Sequence, residues 1–216
     1  MKYTTVIFDL DGTLLDTLED LTNSVNYAMT AMGWENKSQK EVRLFLGNGI
    51  RALMKKCAPM DTTEEDFEKA FSYFKKHYDV HNQDNTRPYE GTLELMKHLK
   101  EKGLKMAIVS NKVQSAVDAL KDKFFSDVIE YALGDSPDIA RKPAPDSCYK
   151  VLELLESTKE DAVYIGDSEV DLATAKNAGL DCIAVLWGFR DEDFLVEQGA
   201  KVFAKTPEDI ERMVTD

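Results

Sequence analysis

Short apolar runs, each rich in valine and isoleucine, recur at four places along the chain. None of them alternates between apolar and polar positions, which is typical of parallel strands covered on both faces. Two weaker runs extend the set. The strong runs cover residues 5–8, 106–109, 162–165 and 182–186, and the weak runs cover residues 128–133 and 202–203. We therefore expect a sheet of buried parallel strands.

Helical patterns lie between the later apolar runs. They cover residues 93–102, 113–120, 146–155 and 172–178. Gly103 and Gly179 directly follow two of these patterns, and a glycine just past the last periodic residue is a common helix stop. Strand and helix in alternation predict an α/β fold built on a doubly wound, Rossmann-like parallel sheet.

Residues 18–81 interrupt the alternation, because they carry helical signals and no β-branched run. Phe67, Phe71 and Phe74, for example, fall on one stripe of a helix. The position of this stretch, directly after the first strand, predicts an all-helical cap domain inserted into the α/β core. The expected boundaries are residues 16–85 for the cap, and residues 1–15 with 86–216 for the core.

The composition narrows the classes of partner. The 216 residues include 40 acidic and 27 basic side chains, a formal net charge of −13 at pH 7, which argues against nucleic acid and anionic membranes as partners. Cys57, Cys148 and Cys182 lie far apart and form no CxxC pair, so neither a disulfide scaffold nor a zinc site is indicated. No stretch reaches the roughly 18 apolar residues that cross a bilayer. We expect a cytoplasmic protein, and no pattern predicts its oligomeric state.

Polar and charged residues follow the apolar runs. They are Asp9, Asp11 and Thr13 after the first run, Ser110 and Asn111 after the second, Lys142 in the loop after the weak third run, and Asp167, Glu169 and Asp171 after the fourth. Each has an ordinary explanation alone, since Asp and Gly end strands and Ser and Asn cap helices. Ligands of open α/β sheets bind beyond the carboxyl ends of the strands, so together these residues predict one cleft.

Gathering Asp9, Asp11 and Asp167 in one cleft poses an electrostatic problem. Two carboxylates about 4 Å apart repel by about 4 kcal/mol at an effective dielectric constant of about 20. A cation must offset this repulsion, and carboxylate oxygens beside a substrate phosphate suit Mg²⁺. A bound phosphate ester adds negative charge, which gives Lys142 a role.

Two carboxylates two positions apart can divide the work of ester hydrolysis. Asp9, at the end of a strand, is placed to attack phosphorus, and Asp11 is placed to protonate the departing alkoxide. The Ser110 hydroxyl and the Asn111 backbone N–H, at the expected start of a helix, would hold phosphoryl oxygens. Glu169 and Asp171 would complete or orient the metal shell. Asp171 has a second interpretation, as a first-turn acid that complements a helix dipole.

The chain resembles the haloacid dehalogenase superfamily in four motifs. They are FDLDGT at residues 8–13, VSN at 109–111, RKPAP at 141–145 and IGDSEVD at 165–171. The resemblance implies that Asp9 is the phosphorylated nucleophile and Asp11 the general acid and base. It implies Ser110 as a phosphate ligand and Lys142 as a charge anchor, and it implies Mg²⁺ bound by Asp9, Asp167 and the Asp11 carbonyl. An acid at position 11 favours phosphatases over dehalogenases, since a halide leaves without a proton.

Within the superfamily, the stretches DLDGTLLDTLEDL and FLGNGIRALM are similar to phosphoglycolate phosphatases, whose caps present a GNG-type loop. Here the loop is Gly47, Asn48 and Gly49, and its N–H groups together with Arg51 would bind the carboxylate of a small acid. Alternatively, Gly47 only ends one helix and Gly49 only begins another. We expect hydrolysis of a small phosphorylated acid such as 2-phosphoglycolate.

Other functions stay open at this point. A pyrophosphatase and a broad-range sugar phosphate phosphatase would use the same residues. A phosphosugar mutase of β-phosphoglucomutase type is less favoured, because such mutases carry a cap histidine and residues 18–25 contain none. A phospho-accepting receiver or an anion-binding module would be a non-enzymatic alternative, but a receiver needs neither Asp11 nor a helical insert.

Overall fold

The computed structural model describes residues 2–47 and 49–216, which divide into two compact units. One unit is discontinuous in sequence and contains the residues up to Leu15 together with Pro88–Asp216. The other unit is Asp16–Arg87. Its second boundary lies two residues beyond the predicted one. A pair of two-residue strands, β2 (Leu15–Asp16) and β3 (Arg87–Pro88), which no sequence pattern indicates, lies where the chain passes between the units.

The discontinuous unit is built on a parallel sheet. Six of its strands, counted among the described residues, form this sheet. They are β1 (Thr5–Phe8), β4 (Lys105–Val113), β5 (Tyr131–Asp135), β6 (Ala162–Gly166), β7 (Asp181–Val185) and β8 (Phe203–Ala204). Across the sheet they lie in the order β5, β4, β1, β6, β7, β8. The chain adds strands to one side of β1 and then to the other, so the order reverses beside β1. The doubly wound α/β prediction is confirmed.

Helices cover both faces of this sheet, as the unbroken apolar runs indicate. They are α5 (Thr92–Glu101), α6 (Gln114–Phe124), α7 (Asp146–Leu154), α8 (Glu169–Ala178), α9 (Glu192–Glu197) and α10 (Pro207–Thr215). Val6 and Phe8 of β1 pack in one buried layer with residues of α5, α6 and α10. Ile7 points to the opposite layer, with residues of α7 and α8. Both faces of β1 are therefore core.

The strand of the second apolar run, β4, is longer than that run. This corrects the expectation that a helix begins near Ser110 and Asn111. Strand β4 continues to Val113, and helix α6 begins only at Gln114. Val113 pairs with Asp135 of β5 after an irregularity in the register between Val109 and Val113. Ser110 and Asn111 consequently lie in a strand and not at the start of a helix. Their polar side chains had suggested a cap, but the pairing with β5 keeps this backbone extended.

The unit Asp16–Arg87 has an all-helical core, as predicted for residues 18–81. Its helices are α1 (Leu18–Met32), α2 (Gln39–Phe45), α3 (Gly49–Cys57) and α4 (Glu64–His81). Phe67 and Phe74 of α4 are buried, and Phe71 stacks between them. Among the helices of the described chain, none is both long enough and apolar enough to span a bilayer.

Candidate active site

Asp9 directly follows β1, which lies between β4 and β6 in the sheet. Its backbone N–H donates a hydrogen bond of 2.8 Å to the Ile165 carbonyl in β6, which fixes the residue at the carboxyl edge. The residue is 7% exposed. The switch in strand order beside β1 is the place where open α/β sheets bind ligands. Asp9 is therefore a buried acid at the expected binding edge.

Lys142 connects Asp9 to β6 and to the first turn of α8. Its Nζ lies 2.7 Å from Asp9 Oδ1, 2.7 Å from Asp171 Oδ1 and 3.0 Å from the Tyr164 hydroxyl, and its side chain is 4% exposed. Burial alone would lower the pKa of Lys142, but the carboxylates of Asp171 and Asp9 raise it above its ordinary value. Lys142 is therefore a permanent positive charge beside Asp9.

Asp171 has hydrogen-bond donors on both carboxylate oxygens. Oδ1 accepts from Lys142 and, at 3.1 Å, from the Tyr164 hydroxyl. Oδ2 accepts from the backbone N–H groups of Asp167 at 3.2 Å and Ser168 at 3.1 Å, and from Ser168 Oγ at 2.6 Å. These contacts tie the carboxylate to the first turn of α8 and to Lys142.

Asp9, Asp167 and Asp171 form a buried acidic cluster in which one carboxylate oxygen of each lies within 4.8 Å of the others. Burial, followed by the charge of Asp171, raises the pKa of Asp9 to about 7 although Lys142 opposes the shift. The same two causes raise the pKa of Asp167 well above its ordinary value. Burial and mutual repulsion therefore disfavour the charged forms of these carboxyl groups, and a bound cation would stabilise them.

The oxygen atoms of this cluster fit a hard divalent cation. Asp167 Oδ2 accepts a hydrogen bond of 2.6 Å from the Phe189 N–H, and Asp9 Oδ1 accepts from Lys142. Within residues 2–47 and 49–216, no group donates a hydrogen bond to Asp9 Oδ2 or to Asp167 Oδ1. These two oxygens are therefore the available ligands for a metal ion that prefers carboxylates.

Two glycines allow the chain to approach Asp167 closely. A Cβ on Gly12 would lie 2.4 Å from Asp167 Oδ2, and Gly12 has a φ of 91°, which side-chain-bearing residues rarely adopt. A Cβ on Gly188 would lie 2.3 Å from Asp167 Cβ. The missing side chain of Gly12 therefore makes room for a predicted metal ligand.

Asp11 and Thr13 lie in the turn after β1, outside the acidic cluster. The Asp11 side chain is 22% exposed and pairs with Lys112, whose Nζ lies 3.0 Å from Oδ1 and 3.2 Å from Oδ2. Thr13 is buried, and its carbonyl accepts a hydrogen bond of 3.0 Å from Trp187 Nε1. Its hydroxyl is buried and has no hydrogen-bond partner among the described residues.

Ser110 and Asn111 lie at the carboxyl end of β4. Ser110 is buried, and its Oγ accepts a hydrogen bond of 3.2 Å from the Lys112 N–H. Asn111 Nδ2 donates to the Lys142 carbonyl at 3.1 Å, and Arg141 donates to the Asn111 carbonyl at 3.2 Å. The amide of Asn111 therefore joins the end of β4 to the loop that carries Lys142.

The residues predicted to bind a substrate carboxylate belong to the helical unit. Gly47 follows α2 and Gly49 begins α3, with φ values of 112° and 79°. Asn48 lies outside the described residues. Arg51 is paired with Glu68 and, at 3.3 Å, with Glu64. The guanidinium of Arg51 is therefore engaged by carboxylates of its own unit.

The sequence motifs do not predict every contact of the site. Glu169, predicted near the metal, binds Arg190 through contacts of 2.7 Å to Nε and 3.0 Å to a terminal nitrogen. The four motifs contain neither Lys112 nor Tyr164. A lysine directly after VSN and a tyrosine inside an apolar run are the sequence signals that could have indicated them. Phe189 contributes only its backbone N–H, which any residue except proline supplies, so no pattern could have indicated it.

Comparisons with known proteins indicate the family of this chain. Residues 6–185 match the family model described as haloacid dehalogenase-like hydrolase. The phosphoglycolate phosphatase of Aquifex aeolicus is 32% identical over 185 residues, which is 85% of each chain. The pyrophosphatase PpaX of Halalkalibacterium halodurans is 32% identical over 200 residues, covering 90% of this chain and 89% of its own.

A solved structure gives the same result. A Lactobacillus delbrueckii protein assigned as a phosphoglycolate phosphatase superposes with a TM-score of 0.95 and 37% identity over 99% of each chain. The chain belongs to the haloacid dehalogenase-like hydrolase family, so the resemblance in its four motifs is confirmed. Its relatives within the family show that it is a phosphatase.

Proposed function

We propose that this phosphatase hydrolyses phosphate monoesters with Mg²⁺ and an aspartyl-phosphate intermediate on Asp9. The observation that carries the proposal is the contact of 2.7 Å between Lys142 Nζ and Asp9 Oδ1, inside a buried acidic cluster at the carboxyl edge of the sheet. A permanent cation beside a buried carboxylate is what a nucleophile needs when it approaches an anionic phosphate ester.

The reaction has two displacements at phosphorus. A carboxylate oxygen of Asp9 attacks, the bond from phosphorus to the ester oxygen breaks, and Asp11 donates a proton to the departing alkoxide. Asp11 then accepts a proton from water as the water oxygen replaces Asp9 on phosphorus. Lys142 offsets charge on the nucleophile, and Thr13, Ser110 and the Asn111 backbone N–H are proposed to contact phosphoryl oxygens.

Mg²⁺ would be held by Asp9, Asp167 and the backbone carbonyl of Asp11, where it supplies positive charge for phosphoryl oxygens. Support comes from the two carboxylate oxygens, on Asp9 and Asp167, that receive no hydrogen bond from the described residues. Asp171 was predicted as a further ligand. Its two oxygens already accept hydrogen bonds, so we propose that it orients Lys142 and the start of α8.

The proposed substrate is a small phosphorylated acid such as 2-phosphoglycolate, and residues 16–85 are proposed to act as a cap. Support comes from relatives named as phosphoglycolate phosphatases. Gly47, Asn48, Gly49 and Arg51 would bind the substrate carboxylate. For Arg51 this role requires exchange of its pairs with Glu64 and Glu68. A cytoplasmic location stays a prediction.

Replacement of the nucleophile tests the reaction. Asp9→Asn should lower kcat for p-nitrophenyl phosphate with Mg²⁺ by at least about 10³-fold, because the covalent route is lost. Asp118→Asn, which changes an aspartate on α6 that contacts Gln114, is the matched control and should retain activity. An Asp9→Asn enzyme with the activity of the control would refute the nucleophile assignment.

A pyrophosphatase is the second candidate, because the relative PpaX is a pyrophosphatase that aligns with 90% of this chain. A panel of 2-phosphoglycolate, pyrophosphate and hexose phosphates at fixed Mg²⁺, ranked by kcat/KM, separates the candidates. We expect 2-phosphoglycolate to rank first. If pyrophosphate ranks first, the substrate proposal is wrong, and the proposed reaction at Asp9 is unaffected. Comparable values for all esters would indicate a broad-range sugar phosphate phosphatase.

A further inference from the structure

Lys112 is a buried lysine that none of the four motifs contains. Its side chain is 4% exposed. Removing an ammonium group from water without a partner costs about several kcal/mol of desolvation free energy. Its Nζ lies 3.0 Å from Oδ1 and 3.2 Å from Oδ2 of Asp11. The ion pair with Asp11 compensates the burial of this charge.

The backbone of β4 directs Lys112 toward this partner. The register of β4 against β5 is irregular between Val109 and Val113, and the Lys112 N–H donates to Ser110 Oγ. Irregularities of this kind redirect side chains at the ends of strands. On its other side β4 pairs with β1, Ile108 opposite Phe8, so the residues that follow the two strands meet at one edge.

The turn after β1 fixes the backbone of Asp11 but leaves its side chain to another contact. The Gly12 N–H donates to the Leu15 carbonyl at 2.9 Å, which closes the turn. In the part of the chain that the structure describes, Lys112 is the hydrogen-bond donor to the Asp11 carboxylate. It contacts both oxygens, and a contact to both oxygens restricts rotation of the carboxylate.

We propose that Lys112 is a positioning residue for Asp11, holding its carboxylate in the orientation that serves the leaving group. This inference rests on the proposed function, in which Asp11 is the general acid and base. A general acid must come within about 2.6–3.2 Å of the leaving oxygen, and an error of about 1 Å can cost about 10²-fold in rate. Lys142 contacts Asp9 and Lys112 contacts Asp11, so each proposed reacting carboxylate has its own buried lysine.

The test compares two leaving groups in the full-length enzyme with Mg²⁺. Lys112→Met should lower kcat for an alkyl phosphate about 10- to 100-fold more than kcat for p-nitrophenyl phosphate, because p-nitrophenolate departs without a proton. KM should change little for either ester, and Lys112→Arg should restore part of the loss. Lys150→Met is the matched control, since it removes the same charge from a surface pair with Glu153 and should leave both rates unchanged.

A double variant separates positioning from a general structural effect. If Lys112 acts through Asp11, then Lys112→Met should cost nothing further in an Asp11→Asn enzyme. Equal losses for both esters, or additive losses in the double variant, would overturn the inference. Should Lys112→Met fail to fold, Lys112→Gln permits the same comparison. Wild-type enzyme without activity on any phosphate ester would instead refute the proposed function.

Discussion

Gly12 determines how closely the turn after β1 can pack against Asp167. A Cβ at this position would lie 2.4 Å from Asp167 Oδ2, well inside contact distance. Gly103 is a matched glycine, because its φ of 81° is close to the 91° of Gly12 while a Cβ there would meet nothing within 4 Å. A side chain at either position would therefore strain the backbone to a similar degree, but only a side chain at Gly12 would also clash with Asp167.

We expect Gly12→Ala to lower kcat/KM by at least about 10²-fold, because the new methyl group displaces Asp167 from its place beside Asp9. Gly103→Ala should cost about 1–2 kcal/mol of stability from its backbone conformation and leave kcat/KM unchanged. Steady-state kinetics and thermal unfolding of the two variants measure these effects. Equal activities would show that the space around Asp167 is not required.

At the scale of elements, Asp20 joins helix α1 to the segment after α4. Its carboxylate accepts hydrogen bonds from the N–H groups of Asn85 and Thr86, each at 2.9 Å, and from Thr86 Oγ1 at 2.7 Å. The side chain is buried within the helical unit. These bonds explain why that unit extends to Arg87, beyond the predicted boundary at residue 85.

Asp20→Ala should lower the free energy of unfolding by about 2–3 kcal/mol, because it leaves buried N–H groups without a charged acceptor. The amides of Asn85 and Thr86 should lose protection against hydrogen exchange. Glu19→Ala, in the same helical turn, is the control and should change stability by less than about 0.5 kcal/mol. Unchanged exchange at both amides in Asp20→Ala would contradict this account of the segment.

At the scale of the whole molecule, the proposed cation site couples metal binding to stability. A ligand that binds only the folded state at 100 times its Kd adds about 2.7 kcal/mol to the free energy of unfolding. We expect Mg²⁺ to raise Tm, chelation to reverse the rise, and Asp167→Asn to abolish it. Asp118→Asn should keep the rise in Tm.

The metal-free Asp167→Asn protein should be at least as stable as wild type. Burial raises the pKa of Asp167, which means that the folded protein disfavours the charge, and the substitution removes that charge. A variant that loses both the Mg²⁺ effect and its stability without metal would indicate structural damage instead of a lost ligand.

Local patterns in the chain were sufficient to predict the fold class and the edge of the sheet that carries the candidate site. Unbroken apolar runs and the helices between them are local patterns, and parallel strands necessarily place their carboxyl ends together. Asp9, Asp167 and Lys142 are therefore predicted to lie close together, although the sequence contains no distances between them. It could not decide where β4 ends, because pairing with β5 extends the strand to Val113.

The contacts between individual groups depend on packing that no local pattern contains. Lys112 and Asp11 are 101 positions apart, and their contact depends on an irregular register and on side-chain directions that periodicity does not encode. The contacts of Asp171 depend on packing in the same way, since Lys142 and Ser168 donate to its two oxygens. Hydrogen bonds act over about 3 Å, whereas sequence patterns place residues only to within an element, so packing has to supply the final distances.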